Sequence, residues 1–153
     1  AGVKGVMPAV MILALAYCIN LLSKEMGTAQ YVVGATEHWL TPELLPLMTF
    51  FLSAFISFAT GTSWGTYAIM IPIALPLAYQ FSGETFSTVV LGTFAAVGGG
   101  GVFGDHCSPL SDTTVLASLG SACDHIDHVR TQLPYALSVA AVVSILYLII
   151  GFA

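Results

Sequence analysis

GGGGVFGDHCSPLSDTT, residues 98–114, is the stretch on which the fold turns. An apolar helical pattern over residues 86–97 dissolves into four glycines, and Asp105 and Asp112 then bracket a Ser-Pro step before apolar residues resume. Ionisable groups between hydrophobic segments are costly inside a membrane and usually serve an ion or proton path. The stretch is therefore expected to interrupt a broken helix, residues 85–119, with the break over residues 98–111. Ser108 followed by Pro109 is the expected helix restart, and Gly120 the expected cap at its end.

Upstream, residues 44–78 are apolar apart from TGTSWGT, residues 60–66. One continuous helix would run about 50 Å, too long for a bilayer core, and two full crossings would give arms of only about 24 Å. The expectation is a re-entrant hairpin over residues 42–81 with its tip at 60–66, a form tolerated at depth only where protein or a water-filled cavity surrounds the backbone. Thr41, Pro42 and Glu43 supply an N-cap, a proline for the first helical position and an early negative charge. Residues 6–22 and 133–152 read as full spanning helices, residues 24–43 as an external or interfacial loop, and residues 121–132 as a polar loop. The fold class is thus an all-α membrane protein: two full spans, a re-entrant hairpin and a broken helix. A hairpin returns to its own side, so Lys4 and Arg130 share a face, and the positive-inside rule favours a cytoplasmic Arg130 loop.

Composition narrows the function. Hydrophobic residues make up 57% of the 153 and charged residues 7%, too little polar surface for a water-soluble domain. Three basic residues against eight acidic ones leave no patch for a nucleic-acid backbone. Cys18, Cys107 and Cys123 form no C-x-x-C pair, so neither a disulfide framework nor a zinc site is indicated, and no cofactor is expected. The chain opens on Ala rather than Met and shows no signal-peptide order, which reads as a fragment whose companion lies upstream.

Asp105 and Asp112 are the expected ion- and proton-coupling carboxylates. Around them Ser108, Ser111, Thr113 and Thr114 at the break, with Thr60, Thr62, Ser63 and Thr66 at the hairpin tip, offer the oxygen ligands that hard cations prefer. Sodium and a proton would compete there, because each neutralises the same carboxylates. Singly, such hydroxyls often bond back to their own helix; their clustering on two interruptions is what points to a transport site. Residues 61–65, GTSWG, also match G-x-S-x-G with Asp105 and His106 following, but a nucleophile elbow needs a preceding strand, and residues 50–58 carry no period-two pattern. Residues 98–101 lack the G-K-[S/T] of a phosphate loop. Asp124, His125, Asp127 and His128 beside Arg130 read as a solvated loop, with a metal or pH-sensing role for His125 and His128 as the functional option.

Three blocks, ATGTSWGTYAIMIPIA (residues 59–74), GDHCSPLSDTTVLAS (residues 104–118) and DHIDHVRTQLPYAL (residues 124–137), together with the opening segment, resemble the NhaC-type sodium/proton antiporters of the ion transporter superfamily. The resemblance covers essentially the whole chain as the family's C-terminal portion. It implies a bacterial inner-membrane secondary transporter, not an enzyme, built from two inverted repeats of which this chain supplies the second, working by alternating access. It implies Asp105 and Asp112 as coupling carboxylates, with Thr62, Ser63, Ser108, Ser111 and Thr113 around them. The implied partners are sodium ion, proton, the bilayer and the missing repeat, a homodimer being the other arrangement weighed. The family also includes exchangers of malate and lactate, which stand as the alternative substrates.

Overall fold

The computed structural model describes residues 41–153 together with Cys18, Leu22, Glu25 and Met26. The expected span over residues 6–22 and most of the loop after it lie outside these residues. A 3-10 turn, Pro42–Leu44, leads into α1 (Leu45–Thr60), followed by α2 (Ser63–Phe81), α3 (Thr88–Cys107), α4 (Asp112–Gly120) and α5 (His125–Phe152). The described part is all helical, as expected of an all-α membrane protein. Thr41 is extended and Pro42 opens the turn, but the Thr41 side chain makes no capping bond, so the start signal acts through backbone shape alone.

The expected seven-residue tip reduces to two residues. Gly61 closes α1 in the left-handed region (φ 70), donating its N–H to the Ser57 carbonyl at 2.8 Å. Thr62 then caps α2, its hydroxyl accepting from the Gly65 N–H at 3.4 Å, so Ser63 to Thr66 are already helical. A Cβ at Gly61 would lie 2.8 Å from the Leu110 carbonyl carbon. The α1–α2 turn therefore sits directly on the interruption between α3 and α4, and only glycine combines that φ with that contact.

The break is shorter than residues 98–111. The helix runs through the four glycines to Cys107, and only residues 108–111 separate α3 from α4. Tertiary packing overrides the poor helix propensity of glycine here. A Cβ at Gly100 would meet the Phe50 carbonyl, one at Gly104 the Ala54 carbonyl, and one at Gly101 the Tyr67 ring. Without side chains, α3 lies against the α1 backbone, and Ser57 Oγ donates to the Gly101 carbonyl at 2.6 Å. The restart also moves: Pro109 stays in the break, and α4 opens at Asp112 with Ser111 as its cap, the Ser111 hydroxyl accepting from the Thr113 N–H at 3.2 Å. Gly120 is the last helical residue rather than a left-handed cap, that conformation falling to Ala122 (φ 51). Most of the expected polar loop is helix too. Asp124 Oδ1 accepts from the Ile126 and Asp127 N–H groups at 2.9 and 3.3 Å, starting α5 at His125, and Pro134 sits inside the helix instead of opening it.

Contacts set the directions. Pro46 faces Gly92, Phe50 and Ala54 face Gly100, and Ser57 and Phe58 face Gly104, so α1 and α3 run parallel. Tyr67 lies against Gly98 and Gly101 while Leu77 and Ala78 lie with Val90 and Leu45, so α2 runs against both. Ile150 meets Gly92, and Tyr147 donates to the Ala95 carbonyl at 2.9 Å, which makes α5 antiparallel as well. One end of the bundle thus gathers the C-termini of α1 and α3 and the N-termini of α2 and α4.

Among the described residues, three segments are long and apolar enough to cross a membrane: Pro42–Thr60, Thr88–Cys107 and His125–Phe152. The first is 19 residues, about 28 Å as helix, so the arm before the tip is longer than the sequence arithmetic allowed. Large apolar side chains such as Phe55, Leu91, Phe94 and Ile145 cover the outside.

The glycine seam yields a direct test. Gly104→Val forces a methyl-bearing side chain onto the α1 backbone and should cost about 1–3 kcal/mol or more. Gly98→Ala, where an added Cβ meets nothing within 4 Å, should be neutral or slightly stabilising. The midpoint of thermal aggregation of the full-length parent in detergent reads both.

Candidate ion site

Asp105 occupies the last turn of α3 and is 9% exposed. One face of α3 carries Gly101 and, a turn later, Asp105, so the residue that lets Tyr67 pack close is followed by the carboxylate that reaches the start of α2. Ser111 Oγ donates to Asp105 Oδ1 at 2.7 Å, while Ser63 Oγ and Thr113 Oγ1 donate to Oδ2 at 3.3 and 3.4 Å. Ser111 and Thr113 also lie hydroxyl to hydroxyl at 2.7 Å, so the one Thr113 hydrogen serves either Ser111 or Asp105. An ionised carboxylate can only accept hydrogen bonds, and among the described residues its partners are all hydroxyls.

Two helix starts converge on this carboxylate. Ser63 is the first residue of α2 and Asp112 the first of α4, so the positive ends of both helices lie toward Asp105, which itself occupies the negative end of α3. Hydroxyls are rotors: each can give its hydrogen to the carboxylate or turn a lone pair toward a cation. A buried carboxylate ringed by such groups can hold a hard monovalent cation or a proton, and either one neutralises it.

The other expected residues separate into two sets. Ser108 Oγ donates to the Phe58 carbonyl at 2.7 Å and accepts from the Leu110 N–H at 3.1 Å, pinning the break to α1. Thr114 Oγ1 donates to the Asp105 and His106 carbonyls, both at 3.3 Å, and so fastens α4 to the end of α3. Thr66 and Thr60 bond back to the Thr62 and Ile56 carbonyls at 2.9 and 2.8 Å. These four, with the cap Thr62, hold backbone rather than the carboxylate. Asp112 does not join Asp105: its side chain is exposed and makes no hydrogen bond among the described residues. With Ser111 as cap and the Thr113 hydroxyl reaching Asp105, a helical start at Asp112 points that residue away from the cluster.

His125 is tied in, whereas His128 takes no part: His125 Nε2 lies 2.8 Å from the Pro109 carbonyl and Nδ1 lies 3.2 Å from Ser118 Oγ. Among the described residues no three His, Cys, Asp or Glu side chains cluster to hold a metal, and Asp124 serves as a helix cap instead. The hydrolase alternative has no structural context, since GTSWG follows helix α1 and Ser63 faces a carboxylate. Sequence reasoning missed Ser57, which holds the Gly101 carbonyl, and Tyr67, whose hydroxyl reaches the Gly98 carbonyl at 3.3 Å. Both contacts span more than thirty residues. Neither has a local signature.

Comparison with known proteins follows the same direction. The profile of the Na+/H+ antiporter family matches residues 1–152. An uncharacterized protein of Haemophilus influenzae is 45% identical over 151 residues, 99% of this chain and 28% of that protein. The malate-2H(+)/Na(+)-lactate antiporter of Bacillus subtilis is 35% identical over 74% of this chain and 23% of its own length. The arginine/ornithine antiporter ArcD of Halobacterium salinarum is 32% identical over 94% of this chain and 28% of its own. The chain thus spans about a quarter of the length of these relatives. No solved structure matches it. Matched along nearly its whole length, and carrying helices fit to cross a bilayer, the chain belongs to the Na+/H+ antiporter family, the NhaC type it resembles, and is part of an integral membrane protein.

Proposed function

We propose that the full-length parent of this chain exchanges sodium for protons by alternating access, the two ions competing for Asp105. The observation that carries this reading is the buried carboxylate within hydrogen-bond reach of three hydroxyls at the meeting of four helix ends. Discontinuous helices meeting in this way are how secondary transporters build ion sites at mid-membrane. In this reading α1 and α2 form a re-entrant hairpin, α3 and α4 a broken helix, and a second, inverted repeat covers the open side. Asp112 then faces that repeat as the second carboxylate on the ion's path. The setting is a bacterial inner membrane.

A second reading keeps the site and changes the cargo. The N-termini of α2 and α4 are also where an organic acid's carboxylate would be drawn, and one relative is named as a malate/lactate antiporter. Coupling to sodium through Asp105 is common to both readings.

Proton movement in vesicles containing the full-length parent, followed with a pH-sensitive dye after a sodium pulse, separates them. Wild type should respond to sodium alone, and Asp105→Asn should abolish the response at equal expression. A wild type that stays silent until malate or lactate is added would put the organic-acid reading first, and an unaffected Asp105→Asn protein would refute both. Ser111→Ala should raise the apparent KM for sodium about tenfold, the scale of one hydrogen bond to a charged group. Thr60→Ala, bonded only to its own helix, should stay within about twofold, on the scale of an exposed surface change. Asp112→Asn should slow exchange without abolishing it.

A further inference from the structure

His125 is bound on both sides of its ring by groups that no transport role has yet used. The Pro109 carbonyl can only accept, so the 2.8 Å contact requires a hydrogen on Nε2. On the other side Ser118 Oγ stands 3.2 Å from Nδ1 and 2.8 Å from the Val115 carbonyl. Ser118 is 2% exposed and has one hydrogen to give. Around a neutral ring that hydrogen serves either Nδ1 or the Val115 carbonyl, which as an α4 carbonyl also takes a helical N–H; the shorter contact favours Val115, and Nδ1 is then the group without a partner. Around a charged ring every group is satisfied: Nε2–H to Pro109, Nδ1–H to Ser118, and the Ser118 hydroxyl onward to Val115.

The far end of this tie matters because of where Pro109 lies. It sits in the four-residue break between Ser108, pinned to α1 through the Phe58 carbonyl, and Ser111, which makes the shortest hydrogen bond to Asp105. Among the described residues, other ionisable groups on the elements around His125 are few. The start of α5 carries Asp124, committed to capping, with Asp127, His128 and Arg130. The end of α3 carries Asp105, His106 and Cys107, and Cys123 lies in the turn before α5. Residues 108–111 and the α4 residues after Asp112 contain no ionisable side chain, and Asp112 is at the opposite end of α4 from Ser118.

We propose that His125 is a positioning residue whose charged ring completes a clamp from α5 across α4 to the break, holding Ser111 and Thr113 on Asp105, and whose neutral ring releases one bond of that clamp. This rests on the transport reading above for its consequence, not for its geometry. Histidine is the side chain that changes charge in the physiological range, so the clamp adds a pH dependence to the site separate from competition between proton and sodium.

The test compares the full-length parent with His125→Gln, which mimics the neutral ring, and His125→Arg, which keeps a charge and donors on both sides. Competition at Asp105 is shared by all three proteins, so the informative quantity is the variant-to-wild-type ratio of the apparent KM for sodium at each pH. For His125→Gln the ratio should be several-fold at pH 6 and approach one by pH 8.5; for His125→Arg it should be near one at pH 6 and fall below one at pH 8.5. A ratio that is the same at every pH, or one throughout, overturns the proposal. Peptide-resolved alkylation of Cys107, a thiol 3% exposed at the foot of the break, reads the clamp without transport. His125→Gln should speed it several-fold relative to wild type at pH 6 and not at pH 8.5, and equal rates at both overturn the clamp. A wild type that moves no protons with sodium defeats the transport reading, while the alkylation ratio still decides this one.

Discussion

The described helices converge on one buried carboxylate, Asp105. Burial of Asp105 is costly unless the charge is well solvated by the protein, and the answer found here is three hydroxyls and two helix starts. Ser63 comes from α2, and Ser111 and Thr113 from the start of α4. No one of these elements builds the site alone. Their arrival at one point requires that α1 turn back in two residues, that α3 stop at Cys107 and that α4 begin after four intervening residues.

The glycines make this geometry reachable. Gly100 and Gly104 bring α3 against the α1 backbone, Gly101 admits Tyr67, and Gly61 places the hairpin turn on Leu110. A side chain at Gly101 would push α2 away from α3, and Ser63 away from Asp105, while side chains at Gly100 and Gly104 would part α3 from α1. The same closeness explains why a run of four glycines is helix here: the packing gained outweighs about 1 kcal/mol of propensity lost at each. Ser57 and Ser108 then act as cross-ties from and to α1, so the seam and the site are mechanically one unit.

Much of this was legible beforehand, and the errors share a cause. Apolar runs interrupted at residues 60–66 and 98–114 located both discontinuities, and Asp105, Ser63, Ser111 and Thr113 were among the expected site residues because hydroxyls and carboxylates are conspicuous between hydrophobic segments. The extent of the break was not legible, since whether glycines continue a helix depends on what lies opposite them. Asp112 was paired with Asp105 by proximity in sequence; its direction is fixed only once the helix is known to start there, with Ser111 as cap. The Asp124 cap, which begins α5 eight residues before Leu133, was not read, because the stretch after it is polar and the apolar run starts only at Leu133. His125 was noted for its titration, but its tie to Pro109 spans sixteen residues and leaves no trace in spacing.

The central claim is that sodium and a proton share Asp105, and the most direct measurement is proton release on sodium binding. Sodium chloride is added to the detergent-purified full-length parent in weakly buffered solution, with choline chloride as the control for ionic strength. The account predicts that sodium, and not choline, releases protons from wild type and from Asp112→Asn, and releases none from Asp105→Asn. Undiminished release from Asp105→Asn would contradict it, since the ions would then be meeting at some other carboxylate.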